Sequence, residues 1–170
     1  MENSKIYTVL THFNRIEQNR LRKYIISPYF NKNEALIQLF EALIKQLNKE
    51  HAKELSKEQL WAKLYPQKAF DDVRYRKLCS DLLKLVEGYL AQEDFESHKE
   101  KKALSLMECV YEKQIAKLYK SSIEQARREL GKNETKLSDD FFNGYLFERN
   151  KYLIEGAGLD RLSKTNLDSI

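Results

Sequence analysis

Between Phe95 and Leu130 the chain contains neither glycine nor proline. Along that stretch Leu104, Met107, Val110, Tyr111, Ile115, Leu118, Tyr119, Ile123 and Ala126 recur at near-helical spacing. Tight turns draw on glycine and proline, so a stretch without either commits to helix. It reads as one very long helix or a broken pair. Gly131 marks its end, with Asn133 beyond. The same economy holds throughout, with five glycines and two prolines in 170 residues. Sheet-rich folds with many turns are therefore disfavoured.

Helix signals fill the rest of the chain. A short helix starts after Ser4 and carries Ile6, Val9 and Leu10. Asn14 with Glu17 forms a capping-box pattern for a second helix, whose stripe is Ile16, Leu21, Tyr24 and Ile25. Pro28 ends it by Ser27. Asn31 and Glu34 repeat the capping pattern before Leu36, Leu39, Phe40, Leu43, Ile44 and Leu47, one buried helical face. Tyr29 and Phe30, left without a capping role, read as plugs in the corner. Ser56 with Gln59 opens a short helix that buries Leu60, Trp61 and Leu64 and closes at Pro66. Asp71 or Asp72 starts a longer one, with Val73, Leu78, Leu82, Leu85, Val86, Tyr89 and Leu90 as its stripe. Gly88 is tolerated inside it or marks a bend. Ser138 caps a last helix bearing Phe141, Phe142, Tyr145, Leu146, Tyr152 and Leu153, ended by the glycines of 155–158.

The expected architecture is all-α, with about seven helices. A compact helical bundle over 1–94 precedes a long helical hairpin over 95–156 and a tail over 157–170. The tail looks incomplete as a fold element, which suits a piece of something longer. At 42% hydrophobic and 33% charged, the chain can bury a core and is too apolar for a disordered one. No apolar run approaches the roughly 20 residues of a membrane helix, and the start has no secretory pattern, so the chain reads as cytoplasmic. Cys79 and Cys109 sit among apolar helical neighbours and read as buried thiols.

Motifs for chemistry are sparse. His12, His51 and His98 are scattered, without HExxH or a neighbouring cysteine, so no metal site is expected. Neither GxxxxGK[ST] nor GxGxxG nor GxSxG occurs. The expectation is a non-enzymatic protein without a cofactor.

Two functional readings remain. The helix at 138–156 crowds Phe141, Phe142, Tyr145, Phe147 and Tyr152 together, more rings than one face can bury. Residues 142, 145, 146, 149, 152 and 153 suit one face, which leaves Phe147 and Phe141 elsewhere. Such an excess points to a protein-interaction or scaffold module, with a protein partner or a second copy as ligand. The alternative is nucleic acid. The net charge of +4 permits it without requiring it. The segment "LSKEQLWAKLYPQKAFDDVRYRKLCSDLLKLVEGYLAQ" resembles the helix-turn-helix part of winged-helix domains. That resemblance implies a DNA-binding or transcription-associated domain using residues 71–84. Arg74, Arg76, Lys77 and Lys84 would contact phosphates and bases, with Tyr75 as an anchor. The wing strands of that family do not follow, and the turn from Tyr65 to Phe70 is not a tight one. Mixed charges over 95–130 do not suit a bilayer surface.

The pair at 100–130 and 138–156 also resembles helix pairs of tetratricopeptide-type arrays, as the start of a helical repeat. The stretch "SPYFN", Ser27 to Asn31, taken with "YRKLCSDLLKLVEGYL", resembles a set of uncharacterised all-helical proteins of Bacteroidota. This resemblance implies longer chains with helical-repeat-like regions after the segment seen here. It transfers no activity, ligand or functional residue.

Overall fold

A computed structural model describes residues 4–48, 55–131 and 138–167, with the α8 side chains described for 141–157. The described residues form eight α-helices and one short 3₁₀ turn, with no strand. The chain divides into two compact units, Met1–Gln92 and Glu93–Ile170.

The first unit holds α1 (Lys5–Thr11), α2 (Arg15–Ile26), α3 (Glu34–Leu47), α4 (Lys57–Leu64) and most of α5 (Asp72–Ser97). Local sequence sets most of the helix starts. The Ser4 hydroxyl accepts the Tyr7 N–H. Asn14 and Glu17 complete a reciprocal capping box, and so do Ser56 and Gln59. The Asp71 carboxylate accepts the Arg74 N–H at 3.0 Å, which opens α5. Leu39, Phe40 and Leu43 are fully buried in a core with Leu10, Leu21, Ile25, Leu60, Trp61, Leu82 and Val86. Truncating such a side chain to alanine costs about 2–5 kcal/mol. Arg22 spans from α2 to α3 with a bidentate pair to Glu41, Nε at 2.6 Å and Nη2 at 3.0 Å.

Three expectations shift here. Asn33, not Asn31, caps α3, with its side chain accepting the Ala35 N–H. Asn31 is buried and brackets the corner instead. Its amide donates to the Ile25 and Asn33 carbonyls, and its Oδ1 accepts the Asn33 N–H at 2.8 Å. Ile16, Val73 and Leu90, read into buried stripes, are exposed. The α5 stripe is anchored by Tyr75, and Val73 lies about 200° around the helix from it. Gly88 is neither incidental nor a bend. A Cβ there would sit 2.8 Å from the Tyr24 hydroxyl, so glycine permits the close approach of α2 to α5.

The second unit holds α6 (Lys99–Glu112), the 3₁₀ turn (Ala116–Leu118), α7 (Tyr119–Leu130) and α8 (Ser138–Leu167). The stretch from 95 to 130 is the broken pair, so the expected hairpin is subdivided into three helices that all pack on one another. The break after α6 occurs without glycine. Gln114 takes φ 55°, and the Ile115 N–H reaches back to the Val110 carbonyl at 3.0 Å. With the Gln114 N–H on the Tyr111 carbonyl, this is a Schellman end in which glutamine occupies the left-handed position. Conversely, α8 runs through Gly156 and Gly158, read as its end, as far as Leu167. No described glycine has positive φ, so neither acts as a left-handed stop. The core of this unit is Ala103, Leu104, Met107, Val110, Tyr119, Ala126, Phe147 and Ile154.

Candidate functional site

The inward face of α8 is built from Asn143, Phe147, Asn150 and Ile154, at positions i, i+4, i+7 and i+11. Half of that face is amide. The Asn150 amide lies 3.4 Å from Glu108 Oε1 on α6, and Arg149 pairs with the same carboxylate oxygen at 3.5 Å. The opposite face carries Phe141, Tyr145, Glu148 and Tyr152, again at helical spacing. Phe141, Phe142, Tyr145 and Tyr152 are 62–77% exposed. The expected grouping of these residues is thus turned over. Phe147, placed off that face, is core, while 142, 145, 149 and 152 are exposed. Apolar periodicity misplaced the face because asparagines supply two of its four inward positions.

Phe142 also flanks a groove between α6 and α8 with a volume of about 410 Å³. Leu104 and Leu146 give the groove apolar walls, and Lys101, Ser105, Glu108 and Asn143 add polar groups. Asn143 is buried at the groove's α8 wall.

In the first unit the four basic candidates are all exposed on α5. Arg74 pairs with Asp71 at 3.4 Å, and Arg76 pairs with Asp72. Two residues apart, Arg74 and Arg76 leave the helix about 200° from each other, so they do not form one ridge. Lys77 and Lys84 make no ion pair among the described residues. Tyr75, read as a nucleic-acid anchor, is buried in the core beside Cys79. Burial, then Cys79, pushes its phenol well above the ordinary value. Burial likewise raises the Cys79 thiol, so it stays protonated and packs rather than reacts. Cys109, expected buried, is exposed, and both cysteines are free.

Arg74 and Lys77 instead line a cavity of about 270 Å³ at the α4–α5 turn. Asn33, Trp61, Tyr65, Lys68, Leu78 and Asp81 complete its wall. The Trp61 indole N–H donates to the Lys68 and Ala69 carbonyls at 3.2 and 2.8 Å, which pins the turn. At the other corner Phe30 stacks on Tyr24 with ring centroids 4.0 Å apart, whereas Tyr29 is 87% exposed. Neither expected plug is buried, although Phe30, 40% exposed, packs one face on the bundle.

Among the described residues no group of three or more His, Cys, Asp or Glu is placed to hold a metal ion; His51 lies outside them. No described helix is long and apolar enough to cross a membrane. No protein-family model, curated protein or solved structure matches the chain.

Proposed function

We propose that the chain is a cytoplasmic, non-enzymatic interaction module that docks a partner protein on the outward face of α8. The observation that carries this reading is the exposure of Phe141, Phe142, Tyr145 and Tyr152 along a single helix. Large rings left in water lose the roughly 1.5–3 kcal/mol that burying such a side chain contributes, and they serve as anchors when a partner covers them. The groove beside Phe142 gives an incoming apolar side chain a place to enter, between Leu104 and Leu146. The partner is a protein presenting an apolar helix face or a second copy of the chain, as in helix-in-groove recognition.

A photo-crosslinker at position 145 tests this. It should trap one discrete protein, or a second copy, with the link mapping to a contact on α8. The same group at Lys63, exposed on α4, should trap neither. Equal labelling from both positions would reject the reading. Sedimentation of the purified chain separates the two partners, since only self-docking gives a concentration-dependent dimer.

A DNA-binding role over residues 71–84 is the second reading, favoured by the exposure of Arg74, Arg76, Lys77 and Lys84. It requires binding that weakens steeply with salt. The divergence of Arg74 and Arg76, about 200° apart on α5, opposes it.

A further inference from the structure

We propose that the cavity at the α4–α5 turn binds a small phosphate monoester, with its carbon part against Tyr65 and Leu78. Three cations line the cavity against one carboxylate, Asp81. With Asp71 on Arg74 one positive charge is left over, and a monoester dianion at neutral pH that displaces Asp71 from Arg74 meets a second. The cations differ usefully in kind. Arg74 offers a planar fork for two phosphate oxygens, and Lys68 and Lys77 act as point charges. Neither lysine has an ion-pair partner among the described residues, so both are available to an anion. The Asp71 partner of Arg74 sits in an exposed pair that an incoming phosphate can displace.

The site is held in place by buried parts. Trp61 is in the core, and its indole N–H fixes the Lys68 carbonyl. The Lys68 ammonium rests 5.2 Å from the Tyr65 ring centroid, which keeps it at the rim. Asn33 has its carbonyl oxygen occupied by the Ala35 N–H, which leaves its amide group to donate. A volume of about 270 Å³ exceeds what a bare phosphate fills and falls short of the range typical of drug-sized ligands. A short apolar group on the phosphate accounts for the remainder. This site lies in the first unit and does not depend on the α8 surface.

The test is calorimetric titration of the full chain with phenyl phosphate, with inorganic phosphate and phenol as comparisons. Phenyl phosphate should bind saturably and about tenfold more tightly than either comparison, because it alone uses both the cations and the apolar wall. Replacing Lys68→Ala together with Lys77→Ala should weaken it by about tenfold or more. Both side chains are exposed, so the variant folds. Lys84→Ala, an exposed lysine that does not line the cavity, should leave binding unchanged. Absence of saturable binding, equal affinity for inorganic phosphate, or affinity unchanged by the double substitution would each overturn the assignment.

Discussion

Helix α3 and helix α8 arrange their apolar residues in opposite ways. In α3 the buried face is Leu36, Leu39, Phe40, Leu43 and Ile44, with one amide, Gln46, at its C-terminal end. In α8 the inward face alternates amide and apolar side chains, while the rings of Phe141, Tyr145 and Tyr152 point to water. The first helix is arranged for its own core. The second keeps large apolar area outside the core of its unit, and that surplus is what a binding surface requires.

The comparison yields its largest contrast in core truncation. Phe40→Ala in α3 should cost about 3–5 kcal/mol in urea unfolding, whereas Tyr152→Ala in α8 should stay within about 0.5 kcal/mol. Equal losses at the two positions would remove the distinction. Asn31→Ala comes next, at about 1–3 kcal/mol, because it strips partners from the buried corner that leads into α3. If Asn31 were only a helix cap, as its sequence position suggests, Asn31→Gly would lose a few tenths of a kcal/mol.

Smaller effects sharpen the account of how each unit is shaped. Gly88→Ala should destabilise by about 1 kcal/mol through its clash with the Tyr24 hydroxyl, despite the better helix propensity of alanine. The Tyr24 ring cannot swing aside freely, since Phe30 stacks on one side and Tyr89 meets its edge at 5.8 Å. In a Tyr24→Phe background the hydroxyl is gone, and Gly88→Ala should then stabilise. Gln114→Gly should stabilise the second unit by about 0.5–1 kcal/mol, since glycine takes the left-handed position without the side-chain penalty. A loss there would mean that the glutamine side chain, whose amide donates to the Tyr111 carbonyl at 3.1 Å, outweighs the strain.

These positions also separate what was legible in the sequence from what was not. Ser4, Asn14 with Glu17, and Ser56 with Gln59 announced their helices because capping is local chemistry. The α3 face was legible because only apolar residues occupy its centre. Asn31 and Asn33 were not separable, since either can cap and only the tertiary corner assigns Asn31 to the Ile25 carbonyl. The break at Gln114 carried no glycine or asparagine to betray it. The glycines at 156 and 158 signalled a stop that α8 does not make. At the candidate site, the crowding of rings on α8 could be read directly, but not their direction, because Asn143 and Asn150 occupy core positions. The cavity at the α4–α5 turn joins Asn33 to residues 61–81, a grouping that only folding creates.

Whether the outward rings of α8 belong to the fold is decided by urea unfolding, followed by circular dichroism, of a chain carrying Phe141→Ser, Tyr145→Ser and Tyr152→Ser together. If the outward rings of α8 are reserved for a partner, total stability should change by no more than about 1.5 kcal/mol, the sum of three ordinary surface substitutions. A loss of about 4 kcal/mol or more would place those rings in the fold itself and contradict the account.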